Sequence, residues 1–333
     1  MRLRDVVLVL AVVSAVSLPA RATPALAQPR ADQVLADIGL SVDDKRKVMN
    51  GEFVNPDLSN VSERDLAVAS VFLVKTSPAV LSKQIMSGDL MTADSQVKTH
   101  GRFSPTGSLA DLAGLKISND VAAAFSKAQA GEALNLGTQE IAAFNLLRTG
   151  TPQQIQGQLH KMLLTRYQAY RASGLAGIVP YDRGSGQTTD VAGELRKATQ
   201  SAKVLEKYLP SVRAVALEYP KAALPGMQQD FRWAYYDVDG KATYVLVHML
   251  AATDGAARAV IQRQYYVSTG YNAQQAVVGF LPVEEGTMAI YAGHAFTDQV
   301  AGFGGSIKRG IGRRIMADKL QKMFEAGRTK VGQ

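Results

Sequence analysis

The dipeptide Asp239-Gly240, set between two runs rich in aromatic and β-branched residues, constrains this chain most tightly. A type I′ turn needs positive φ at both central positions, which Asp-Gly tolerates, so the pair predicts a hairpin with a two-residue loop. Residues 231–238 and 241–250 are then paired strands, and the loop length sets their register. Val238 faces Lys241, Tyr235 faces Tyr244, Trp233 faces Leu246 and Phe231 faces His248. The other face carries Arg232, Ala234 and Tyr236 against Val247, Val245 and Thr243. Both faces are largely apolar, so both are expected to be covered.

Residues 257–269 read as a third strand and 287–296 as a fourth. A break at Gly302, Gly304 and Gly305 leads into a long basic helix expected over about 307–326. The expected class is α+β: an antiparallel sheet with a long C-terminal helix and a helical insertion. Asn272 reads as the N-cap of a short helix at 273–280, stopped by Pro282. Upstream, residues 33–50 suggest two helices split by Gly39-Leu40-Ser41, with Ser41 capping the second. Residues 66–75 suggest a strand that runs through Thr76-Ser77-Pro78 into a helix.

Residues 90–112 carry no clear pattern, a short strand is suggested near 132–136, and a helix near 138–147. Thr151-Pro152 opens a longer helix whose face holds Ile155, Leu159, Met162, Leu163, Tyr167 and Tyr170. Residues 181–189 read as an exposed loop, followed by helices punctuated by Pro210 and Pro220. The expected divisions are a signal peptide at 1–27, an N-terminal helical segment at 28–63, and one domain at 64–326. That domain carries the helical insertion at about 138–222, and a basic tail at 327–333 follows it.

The signal peptide rests on Arg2 and Arg4, an apolar run at 6–16 too short for a comfortable membrane span, and Ala25-Leu26-Ala27, which fits the small-x-small cleavage rule. Cleavage between Ala27 and Gln28 would place the protein in the periplasm or outside the cell. There are no cysteines, which removes disulfides, thiolate nucleophiles and thiolate metal sites. The formal net charge is +8, and residues 305–333 hold eight basic and two acidic residues. With the positive signal peptide set aside, residues 28–304 are neutral. Lys308, Arg309, Arg313 and Arg314 are therefore candidate contacts with an anionic membrane surface. A solvated helix face is the plainer alternative, and nucleic acid is a poor partner for an exported chain.

The strand-to-helix stretch LAVASVFLVKTSPAVLSKQI, followed much later by antiparallel strands and a terminal helix, resembles the helix-grip superfamily of START-type lipid-transfer and polyketide-cyclase-like (SRPBCC) domains. The resemblance implies a curved sheet wrapped on the terminal helix around an apolar cavity. The stretches KATYVLVHMLAA, IQRQYYVSTGYNAQQAVVGFL and DQVAGFGGSIKRGIGRR also resemble a family of exported bacterial proteins.

The chain has no nucleophile elbow, zincin motif, Walker loop or EF-hand loop. No catalytic residue, metal ligand or cofactor is assigned. By spacing alone none of His100, His160, His248 and His294 pairs as a metal ligand. His248 and His294 alternate with apolar neighbours and are expected to point inward side by side. No carboxylate partner is evident at a fixed spacing, which favours satisfied core histidines. Arg263, if inward, needs a carboxylate or an anionic ligand group. The hairpin face with four rings is either an aromatic core layer, the plainer alternative, or a pocket wall. Its candidate ligand-binding residues are Trp233, Tyr235, Tyr244, Leu246, His248, Arg263 and Tyr265. Three functions stay open: an exported non-enzymatic carrier for an apolar ligand such as a lipid, an envelope-associated structural or interaction protein, and an enzyme using cavity histidines.

N-terminal sequencing of the exported protein is expected to begin at Gln28; retention of Met1 would contradict the cleavage site.

Overall fold

A computed structural model describes residues 29–87, 96–238 and 240–301, and beyond them only positions 310, 312, 314, 316, 317, 321 and 322. The expected signal peptide lies outside the described residues. The chain opens with α1 (Ala31–Asp37) and α2 (Val42–Met49), and the Ser41 hydroxyl accepts from the Asp44 amide at 3.1 Å to cap the second helix. Strand β1 (Asp65–Val74) then runs into α3 (Pro78–Ser87), with Pro at the first helical position.

Strand β2 (Val97–Arg102) lies in the stretch that carried no clear pattern. Lys98, Thr99 and His100 are exposed, so no apolar alternation marks it; it forms an edge by pairing with the hairpin, Gly101 opposite Trp233. A helical layer follows: α4 (Asn119–Ser126), α5 (Thr138–Asn145) and α6 (Pro152–Ser173). Residues 132–136 are not a strand. They run beside the sheet with the Asn135 amide donating to the Ser268 carbonyl at 2.8 Å. The expected loop at 181–189 is a small hairpin, β3 (Tyr181–Gly184) and β4 (Gln187–Thr189), and Tyr181 is fully buried. Then come α7 (Val191–Ser201), α8 (Lys203–Tyr208) and α9 (Pro210–Glu218).

The sheet is completed by β5 (Gln228–Val238), β6 (Lys241–Asp254), β7 (Ala257–Val267), β8 (Ala273–Val283) and β9 (Gly286–Phe296). Its order is β1-β9-β8-β7-β6-β5-β2, antiparallel throughout, so the first strand closes on the last. The hairpin register is the one expected from the Asp-Gly loop, from Val238 opposite Lys241 to Phe231 opposite His248.

The helix expected at 273–280 is strand β8. Both of its faces are covered: Val277 and Leu281 pack on one side, Val278 and Phe280 on the other. Apolar residues on both faces hide the period-two pattern. Asn272 is no helix cap; its amide oxygen accepts from Arg183 at 3.0 Å and its amide nitrogen donates to Asp298 at 3.1 Å. Pro282 is tolerated because it lies beyond the last β7 pairing, Arg258 with Phe280.

The long C-terminal helix is not borne out. Among the described residues the last continuous helix is α9, and most of residues 302–326 lie outside them. The coarser class stands: α+β, with a seven-stranded antiparallel sheet.

Strand alternation sends side chains to two different layers. One face meets α4–α9, with α1 and α2 at the β1 end, and carries the rings of Phe231, Trp233, Tyr244, Tyr265 and Tyr266. The register shifts between Leu246 and Val247, so β7 has an extra residue there, and Tyr265 and Tyr266 both join this layer. The other face meets α3 and is lined by Val68, Phe72, Ala234, Val245, Val247, Val278 and Ala289. Among the described residues no helix is long and apolar enough to cross a membrane.

Candidate functional site

The helix-covered face carries an unbroken polar row. His248 on β6 is opposite Arg263 on β7, Arg263 is opposite Gln275 on β8, and Gln275 is opposite His294 on β9. Adjacent strands are about 4.8 Å apart, which separates the two histidines by about 14 Å. They share a face, as expected, but they are not neighbours: Arg263 and Gln275 stand between them. All four residues are buried, with 3% or less of each exposed. Burial of polar groups at this depth is tolerable only when their hydrogen bonds are made.

Arg263 makes them with neutral groups. Its Nε donates to Gln275 Oε1 at 2.8 Å and Nη1 donates to the Tyr170 hydroxyl at 3.0 Å. Nη2 donates to Thr199 Oγ1 at 3.2 Å and to the Ala216 carbonyl at 3.1 Å. Among the described residues no carboxylate pairs with it, so the expected need for a counter-charge or an anionic ligand is not met by a counter-charge; four acceptors from α6, α7, α9 and β8 take its place.

The Tyr170 hydroxyl accepts from Arg263, which has no acceptor of its own, and its single proton is left for His248 Nδ1 at 3.1 Å. His248 is thereby a neutral ring with its proton on Nε2, an atom that is buried and without a partner. Burial, and next the positive charges of Arg263 and Arg171, hold its pKa well below the usual histidine value. The ring stacks on Phe231 at 4.3 Å between centroids.

At the other end of the row, His294 Nδ1 lies 2.8 Å from Asp65 Oδ2, and His294 Nε2 lies 3.3 Å from Ser201 Oγ. The Val61 amide donates to the same carboxylate oxygen at 2.8 Å, and Asp65 Oδ1 has no partner. Ser201 closes α7, half-buried, and its hydroxyl donates to the Ala198 carbonyl at 3.0 Å. The carboxylate that sequence spacing did not reveal stands 229 residues before its histidine, brought there by the pairing of β1 with β9.

The remaining candidate ligand-binding residues are packed as core. Trp233 Nε1 donates to the Asp111 carbonyl at 2.7 Å. Tyr235 stacks on Tyr244 at 5.4 Å, Tyr265 stacks on Tyr170 at 4.0 Å, and Leu246 is fully buried. The plainer of the two alternatives, an aromatic core layer, matches this packing. A surface recess of about 330 Å³ lined by Lys75, Pro78, Pro282 and Glu285 contains none of them. His160, half-buried, bonds the Leu115 carbonyl at 2.9 Å, and His100 is exposed. Among the described residues no three His, Asp or Glu side chains converge to hold a metal ion. Of the candidate membrane contacts, Arg314 is exposed, while Lys308, Arg309 and Arg313 lie outside the described residues. No family model, curated protein or solved structure matches this chain.

His248 gives the site a pH signature. Its folded pKa is depressed, so below about pH 6.5 the unfolded chain takes up a proton that the folded ring refuses, and stability falls with falling pH by up to about 1.4 kcal/mol per unit. Urea unfolding at pH 7.5, 6.0 and 5.0 is expected to show a shallower decline in His248→Phe than in wild type; parallel declines would contradict the neutral ring.

Proposed function

We propose that this protein is an exported carrier that holds an apolar ligand, such as a lipid, between α3 and the sheet face beneath it. The contrast between the two faces carries this reading. Rings fill the helix-covered face, whereas the α3 face combines Phe72, Tyr236, Phe280 and Tyr291 with a run of small aliphatic side chains, Ala234, Val245, Val247, Ala251, Val278 and Ala289, and a chain-like guest would lie along that run. Among the buried polar groups of that face, Arg232 bonds Asp230 and the Met86 carbonyl and Gln264 accepts from the Tyr271 hydroxyl, whereas Ser70 Oγ is buried with no partner and suits a ligand headgroup. The sheet order, with β1 closed on β9 and a Ser-Pro-led helix after β1, supports the helix-grip resemblance. The export motif at 1–27 supports a periplasmic or secreted location. In this reading the cations Lys308, Arg309, Arg313 and Arg314 dock the carrier on an anionic bilayer, at about 1 kcal/mol each.

Native mass spectrometry and solvent extraction of the purified protein are expected to reveal a bound lipid-like molecule. Ala289→Phe is expected to abolish its capture with little loss of stability, because the new ring occupies ligand space. A protein that carries and takes up no apolar probe, with Ala289→Phe destabilised by about 1–3 kcal/mol as in a filled core, would contradict the proposal.

A further inference from the structure

The geometry points to Asp65, His294 and Ser201 as a hydrolytic site for carboxylic esters, on the sheet face opposite the proposed carrier face and independent of it. Its connectivity is the one acyl transfer needs. The carboxylate holds Nδ1 at 2.8 Å and the hydroxyl meets Nε2 at 3.3 Å, so one ring nitrogen is anchored and the other faces the nucleophile. Asp65 is fully buried and His294 nearly so, while Ser201 is half-buried, so a dry base sits behind a hydroxyl at the protein boundary.

A serine at a helix end commonly bonds the carbonyl three residues back, and Ser87 and Ser126 do so at 2.6 and 3.0 Å. Ser201 makes the same bond, and its hydroxyl oxygen also lies 3.3 Å from His294 Nε2. Rotation about Cβ–Oγ moves the hydroxyl proton between the Ala198 carbonyl and the imidazole. A second observation lies beside it. Arg213 Nη2 donates to the carbonyl of Gln200, the residue before the serine, at 3.3 Å, and Arg213 Nε is buried without a partner. That unsatisfied cationic donor suits an oxyanion or a product carboxylate.

In the reaction, Ser201 Oγ bonds to the ester carbonyl carbon as its proton passes to His294 Nε2. Asp65 acts as a positioning residue, fixing the ring and stabilising the imidazolium. The tetrahedral adduct collapses with cleavage of the ester C–O bond, and the imidazolium returns the proton to the departing alkoxide, releasing an alcohol. Water then attacks the acyl-serine by the same proton route, releasing a carboxylic acid and restoring Ser201.

The test treats the purified full chain with a fluorophosphonate probe, maps the adduct by peptide mass spectrometry, and measures p-nitrophenyl butyrate hydrolysis. The expected results are an adduct on Ser201 and a fall in hydrolysis of at least about 100-fold in Ser201→Ala with an unchanged melting temperature. Asp65→Asn is expected to lower kcat with KM unchanged; if that variant fails to fold, Ser201→Ala decides alone. Absence of an adduct at Ser201 in folded protein, or equal hydrolysis by wild type and Ser201→Ala, would overturn the assignment.

Discussion

The buried guanidinium of Arg263 holds the two layers of this protein in one register. It sits in the middle of the sheet face, 2% exposed, and reaches α6 through Tyr170, α7 through Thr199 and α9 through the Ala216 carbonyl. A charge buried this deeply is tolerable only while its donors are satisfied, and every acceptor it uses belongs to a different element of the fold. Apolar packing alone would let the helices slide over the strands with modest penalty. The planar fork of an arginine permits one arrangement.

The rest of the helix-covered face follows from that anchor. With Tyr170 fixed by Arg263, its ring stacks on Tyr265 and its proton sets the tautomer of His248. With Thr199 fixed, also by Gln275, the end of α7 lies over β8 and β9, and Ser201 two residues on meets His294. The ester-hydrolysing geometry at Ser201 is therefore a consequence of where one arginine places one helix. The opposite face has a buried arginine of its own: Arg232 donates to Asp230 at 2.6 Å and to the Met86 carbonyl of α3 at 2.9 Å. Its lining mixes small aliphatic side chains with the rings of Phe72, Tyr236, Phe280 and Tyr291, Ser70 Oγ is buried there without a partner, and this is the face proposed to hold a non-polar guest.

The hairpin was legible in the sequence because turn chemistry and alternation are local: Asp239-Gly240 gave the register of β5 and β6 residue by residue. The capped helix α2 and the strand–Ser-Pro–helix unit were legible for the same reason. Strand β8 was not, because both its faces are buried and the alternation that marks a half-exposed strand is missing. Edge strand β2 escaped for the opposite reason, having three exposed residues in succession. Of the candidate site, alternation placed His248 and His294 on an inward face. The partners that give them chemistry, Tyr170, Asp65 and Ser201, come from elements 78, 229 and 93 residues away, and no local pattern reports such distances.

The most direct measurement is a double-mutant cycle between Arg263 and Thr199, read by urea unfolding at neutral pH. If the guanidinium joins the layers, Arg263→Met costs about 3–5 kcal/mol and couples to Thr199→Val by about 1 kcal/mol or more. A single-mutant loss below about 1 kcal/mol, with the two changes additive to within about 0.3 kcal/mol, would contradict it.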